Sequence, residues 1–189
     1  LQKVLGIIIN IDSEKREEQL LQERADRDPL TKLFNKTAAR NRAEEYLSQL
    51  RDGVECALLI IDLDDFKQIN DRFGHLYGDS VLTRAAREIG KLFRPQDIVA
   101  RIGGDEFLVL MRGVSDRGLV ENRCRRLLDG IAAAFPEENG SISCSIGAAL
   151  APQHGKNYAA LFQKADHALY CAKARGKNNS VIYSEEALR

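Results

Sequence analysis

An unbroken apolar run with a carboxylate near its end, Cys56 to Leu63 (CALLIIDL), constrains this chain more than any other feature. Following the breaker Arg51-Asp52-Gly53, such a run suits a strand in the middle of a sheet. The segments around it are regularly patterned. Lys36 to Leu50 places Ala39, Ala43, Tyr46, Leu47 and Leu50 on one helical face, and Asp79 to Phe93 does the same with Leu82, Ala85, Ala86, Ile89 and Phe93. Asp97 to Ile102 and Phe107 to Arg112 read as short strands joined by Gly103-Gly104-Asp105-Glu106, with glycine expected to supply the positive φ of a hairpin. Asp116 to Phe135 is a helix with Val120, Cys124, Leu127, Leu128, Ile131 and Phe135 inward. A strand at Ser141 to Leu150, a helix at Tyr158 to Ala174 and a strand at Ser180 to Ser184 complete the order.

The central order is β-α-β-β-α-β. It predicts an α+β fold with a ferredoxin-like βαββαβ core: helices on one face of an antiparallel sheet, and further helices decorating both ends. First and third strands are neighbours in that topology, so Asp62 is expected beside Asp105 and Glu106 despite their separation in sequence.

Composition narrows the partners. Lys+Arg and Asp+Glu are 28 each in 189 residues, a zero formal charge that argues against a sequence-blind nucleic-acid or acidic-membrane binder. No apolar run approaches the roughly 20 residues that span a bilayer. Leu1 to Ile11 is too short to span, and its single Lys3 does not make a signal peptide. Cys56, Cys124, Cys144 and Cys171 lack zinc-ligand spacing and read as small buried hydrophobes in a reducing, cytoplasmic compartment.

The chain begins without Met and is expected to be a piece of something longer. Val4 to Ile11 reads as a lone strand. Glu14 to about Arg27 reads as a charged connector helix with a thin stripe of Leu20, Leu21 and Ala25, interrupted by Asp28-Pro29. The expected division is 1–27 for this strand and linker helix, 28–185 for the main domain and 186–189 for a tail.

Carboxylates converging on a glycine-rich hairpin repel one another, and a divalent cation resolves the conflict. Hard oxygen donors favour Mg²⁺ or Mn²⁺, as in phosphoryl transfer. The plain alternative is a charged hairpin tip whose glycines serve only the turn; Asp62 at the end of a buried strand shifts the balance towards metal. Asp64 and Asp65 read as solvated loop acids.

Gly103 to Phe107 spells GGDEF, and the sequence resembles the diguanylate cyclase family from Asp28 to about Tyr183. The matching stretches are Asp28-Pro29-Leu30-Thr31-Lys32-Leu33-Phe34-Asn35, Asp62-Leu63-Asp64-Asp65-Phe66-Lys67-Gln68-Ile69-Asn70-Asp71, Phe73-Gly74-His75, Gly78-Asp79, Ser145-Ile146-Gly147, Ala168 to Lys173 and Gly176-Lys177-Asn178. The resemblance implies condensation of two GTP into cyclic di-GMP with release of two pyrophosphates, each 3′-OH attacking the other nucleotide's α-phosphate across a homodimer. It implies metal ligands at Asp62, the Leu63 carbonyl, Asp105 and Glu106, with two Mg²⁺ (or Mn²⁺) per GTP site. Asp105 is then the candidate proton acceptor, the alternative being a purely electrostatic role because a metal-bound carboxylate is a weak base; Glu106 would bind metal or help to activate the hydroxyl.

Substrate positions carried by the resemblance are Phe66, Lys67, Asn70, His75, Asp79, Gly103, Gly104, Lys173 and Lys177. The chemistry is compatible. Asp79 can accept from guanine N1–H and N2–H₂, and Asn70 can donate or accept. Asp79 also reads as the N-cap of its helix, and His75 equally as a packed turn residue. Lys173 and Lys177 share a face if their helix continues that far; isolated lysines at a helix end are otherwise solvated. Arg94-Pro95-Gln96-Asp97 resembles the family's R-x-x-D inhibitory site for the product, the alternative being an Arg–Asp pair closing a surface turn.

Gly6 to Arg16 resembles the last strand and exit helix of a PAS sensor domain, which implies an upstream sensor. Outside the active-enzyme class, the alternative is an inactive GGDEF-like nucleotide receptor or scaffold. Intact Asp62, Asn70, Asp79, Asp105 and Glu106 oppose it. A relaxed cyclase making mixed dinucleotides is opposed by Asp79, whose carboxylate conflicts with the N1 acceptor of adenine.

Overall fold

The computed structural model describes residues 15–18, 20–50, 55–136 and 142–185. The expected strand at Val4 to Ile11, the PAS-like stretch up to Glu14 and the tail 186–189 lie outside the described residues.

Residues 15–18 and 20–25 are helical, with Leu20 and Leu21 well exposed. Helix α1 (Lys36–Ser48) is capped by the Asn35 side chain, which accepts from the N–H of Ala38. Then come β1 (Glu55–Leu63), α2 (Phe66–Phe73), α3 (His75–Leu92), β2 (Ile98–Arg101), β3 (Glu106–Val114), α4 (Arg117–Ala134), β4 (Cys144–Ala151), α5 (Tyr158–Ala174) and β5 (Ser180–Ile182). The sheet order is β2-β3-β1-β4-β5. Strand β1 is central and antiparallel to both β3 and β4, whereas β5 joins β4 in parallel at the edge.

The α+β, ferredoxin-like core is present, and its two long helices, α3 and α4, pack on the same face of the sheet. Ala57, Leu59, Ile61 and Leu63 of β1 pack with α3 and α4, while Cys56, Leu58 and Ile60 pack with α1 and α5. The helices expected as decoration therefore cover the second face. This is the physical reason β1 is apolar without alternation: both of its sides are interior. Gly147 on β4 lets α5 come close, since a Cβ there would lie 2.1 Å from the Ala165 carbonyl oxygen.

Two expectations change. A separate helix, α2, follows β1, and α3 begins at His75, so Asp79 lies inside that helix and is not its N-cap. The break between α2 and α3 is Gly74, whose φ of 82° favours glycine. Cys56, Cys124 and Cys144 are buried and Cys171 is half-buried. Burial pushes the Cys56 thiol up to about 11 and Cys124 up to about 12, as expected of inert packing groups.

Candidate active site

The end of β1 places the first acid. In the β1–β3 ladder Asp62 stands opposite Glu106, and the N–H of Leu63 donates to the carbonyl of Asp105 at 3.2 Å. The pairing turns two distant acidic stretches into neighbours, as the topology requires. Asp62 is 7% exposed, and its carboxyl is pushed above its ordinary value by burial and by the charges of Asp105 and Glu106. The Lys173 ammonium opposes that rise from 2.8 Å.

The hairpin glycines act differently from the expectation. Neither Gly103 nor Gly104 has a left-handed φ. Gly103 leaves room for Glu106, whose Oε2 would lie 2.7 Å from an added Cβ; the space over Gly104 is open. Arg101 fixes this loop by donating from Nε and Nη2 to the Gly104 carbonyl at 3.1 and 2.8 Å, and it faces Asp28 at 3.4 Å. Burial alone would raise Asp28, but hydrogen bonds from Thr31 and the Arg101 charge hold its carboxyl below the ordinary value. The Asp28–Thr31 stretch thus braces the loop, a role its sequence did not disclose. A basic residue two positions before the glycines was the available signal.

Beyond β1 the second acid also departs from expectation. Asp64 is 6% exposed and no solvated loop residue. It accepts from Ser143 Oγ at 2.6 Å, Ser145 Oγ at 2.7 Å and the Asn178 N–H at 3.0 Å. Asp65 is exposed, as read; its Oδ1 accepts from Lys177 Nζ at 2.6 Å and Gln68 Nε2 at 2.9 Å.

Phe66 is buried at the start of α2, and Lys67 beside it is exposed. Asn70, half-buried on α2, faces Gly78 on α3, where a Cβ would overlap its Oδ1. Gly78 therefore permits the close approach of Asn70 to α3. His75 and Asp79 are both exposed on the first turns of α3. Lys177 does not extend the face of α5, which ends at Ala174; it projects from a turn with φ of 62°.

Arg94 and Asp97 do not pair through their side chains. The Asp97 carboxylate accepts the N–H of Arg94 at 2.8 Å and of Arg112 at 2.9 Å, while Arg94 is exposed. Asp97 thus closes the turn through the main chain.

Among the described residues, no three His, Cys, Asp or Glu side chains form a ready metal cage. The donors at the strand ends nevertheless suit Mg²⁺ or Mn²⁺. They are hard oxygens, they crowd like charges, and Mg²⁺ is commonly held by one or two carboxylates completed by phosphate and water. An α+β domain with an acidic rim across two central strand ends and a lysine beside it fits a nucleotide-cyclase-like class.

Within that class the chain belongs to the GGDEF-domain family: residues 25–179 match the family model described as diguanylate cyclase, GGDEF domain. It is 42% identical over 155 residues to the diguanylate cyclase DgcP of Pseudomonas aeruginosa, covering 80% of this chain and 23% of that protein. It is 34% identical over 181 residues to the cyclic di-GMP phosphodiesterase PdeR of Escherichia coli, covering 94% of this chain and 27% of that one. The chain thus spans about a quarter of either relative's length. The crystal structure of the coiled coil and GGDEF domain of DgcB from Caulobacter crescentus superposes with a TM-score of 0.84 at 24% identity, covering 95% of this chain and 97% of that one, a likeness of fold.

Proposed function

We propose that this chain is a catalytic domain that condenses two GTP into cyclic di-GMP and two pyrophosphates, working as a homodimer. The observation that carries this reading is the ladder pairing of Asp62 with Glu106, with Asp105 adjacent and Lys173 at 2.8 Å from Asp62. In each half-reaction a 3′-oxygen forms a bond to the partner nucleotide's α-phosphorus as the bond to pyrophosphate breaks. The hydroxyl proton leaves to a nearby base, for which Asp105 is the candidate.

Asp62, the Leu63 carbonyl, Asp105 and Glu106 would hold two Mg²⁺ or Mn²⁺ ions. When bound, such ions neutralise triphosphate charge and stabilise in-line displacement. Lys173 would exchange Asp62 for phosphate, with Lys67 and Lys177 adding positive charge along the triphosphate. Gly104, with open space where a side chain would stand, would let phosphate approach the hairpin closely, while Gly103 makes room for Glu106 beside it. Asn70 and Asp79 would read the guanine edge, with Phe66 and His75 as further substrate positions.

Product would bind Arg94 through its guanidinium, with Asp97 shaping the turn and accepting from guanine; Arg94→Ala should lose inhibition by cyclic di-GMP. The helical residues 20–25 would lead from an upstream sensor of PAS type, and the catalytic domain would work in the cytoplasm. No described helix is long and apolar enough to cross a membrane.

A second reading, a nucleotide receptor or scaffold, is favoured by one observation: a relative over 94% of this chain carries a phosphodiesterase name. Incubation with GTP and Mg²⁺, with products separated by chromatography at increasing protein concentration, distinguishes them. Cyclic di-GMP whose yield per chain rises until dimerisation saturates supports the cyclase. Bound GTP without product at every concentration supports the receptor.

A further inference from the structure

Three sequence stretches meet at one buried side chain. Asp64, two positions beyond Asp62, binds Ser143 and Ser145 on one side and the main chain of Asn178 on the other. Its own N–H donates to the Ser143 carbonyl at 2.9 Å. The carboxylate therefore ties the end of β1 both to the start of β4 and to the turn between α5 and β5.

That turn is an unusual one. Gly176, Lys177 and Asn178 have φ of 105°, 62° and 43°, so two successive side-chain-bearing residues occupy the left-handed region. Each such residue is strained and persists only where surroundings impose it. Here adjacent acids impose it from two directions. Asp64 holds the main chain through the Asn178 N–H, and Asp65 holds the Lys177 side chain at 2.6 Å. Released from Asp64, the turn could relax towards ordinary φ and swing the Lys177 ammonium away from the acidic rim.

We infer that Asp64 is a positioning residue: its clasp on the Asn178 N–H and on Ser145 sets the reach of Lys177 towards the triphosphate. Asp64 itself touches no substrate. This role rests on the phosphate contact proposed for Lys177, and it gives Ser145 and Asn178 a purpose that their place in the sequence left open.

The test measures GTP KM and saturating turnover for Asp64→Asn in the wild-type and Lys177→Ala backgrounds, with amide hydrogen exchange at Asn178 followed by NMR. Asn keeps the shape but loses the charge and part of the acceptor capacity. Asp64→Asn is expected to raise KM about tenfold while saturating turnover stays within about threefold. In the Lys177→Ala background it should raise KM no further, and the Asn178 amide should exchange at least about tenfold faster. An equal KM increase in both backgrounds, or unchanged exchange at Asn178, overturns the inference. If Asp64→Asn does not fold, Ser145→Ala removes one bond to the same carboxylate. Its smaller KM rise must vanish in the Lys177→Ala background, and persistence there overturns the inference. If the wild-type chain makes no cyclic di-GMP, the cyclase reading fails by itself, while Asn178 exchange still decides whether Asp64 holds the turn.

Discussion

The two sides of the β1 terminus treat buried negative charge in opposite ways. On the hairpin side Asp62 is crowded by Asp105 and Glu106, and the cation it meets, Lys173, has a side chain still 39% exposed. On the turn side Asp64 accepts three hydrogen bonds from two serine hydroxyls and a main-chain amide. The two residues are equally buried. A satisfied buried carboxylate contributes to stability, whereas one pressed by like charges does not. The difference separates a carboxylate under electrostatic pressure, the one proposed for chemistry, from a satisfied one that ties three stretches of chain together, two residues apart at one strand end.

Substitutions should divide along that line. The largest effect is expected from Asp105→Ala on the hairpin side: turnover falls by at least about a hundredfold, while the melting temperature barely moves. Retained cyclic di-GMP synthesis would remove Asp105 from the chemistry. On the architectural side, Gly147→Ala sets a Cβ against the α5 backbone at 2.1–2.7 Å. About 2–3 kcal/mol of overpacking should appear in chemical denaturation, with no specific change in GTP affinity.

Gly103→Ala is the hairpin counterpart. Its clash is with the movable end of Glu106 at 2.7 Å. Calorimetry should show a change within about 0.5 kcal/mol, while the displaced carboxylate lowers turnover about tenfold. Equal loss of stability at Gly103 and Gly147 would erase the distinction.

The smallest effect concerns a third buried polar group at the far end of β4. His154 is 6% exposed, and its Nδ1 accepts the Leu150 N–H at 2.9 Å. Burial, with Lys164 and Arg117, holds its pKa below the ordinary 6.5. The unfolded chain therefore takes up a proton more readily, so this contribution is whole above about pH 6.5 and is lost as pH falls through the lowered value. Melting followed between pH 7 and 5 should show a decline that His154→Gln reduces.

Much of this was legible in advance. The apolar stretch of β1 announced a central strand, and the β-α-β-β-α-β order was enough to put Asp62 beside Glu106. Burial of the second sheet face was less legible, since the stripe on α1 says that it packs but not against what. The hairpin glycines were read as conformational devices, whereas Gly103 makes room for a side chain. The burial of Asp64 is invisible in the local sequence for a clear physical reason: its partners lie 79, 81 and 114 positions away. No local pattern distinguishes an acid awaiting donors from one facing water. Family stretches marked Ser145 and Asn178 without saying what they do.

The contrast between the two acids is decided by Asp62→Asn, with turnover at saturating GTP and melting temperature measured on the same preparation. Removing a crowded buried charge should leave the melting point at or above wild type, while cyclic di-GMP synthesis is lost. Asp64→Asn should show the reverse, melting lower by on the order of 5 °C with turnover at saturating GTP largely kept. An Asp62→Asn protein that melts well below wild type and still makes cyclic di-GMP would contradict the account.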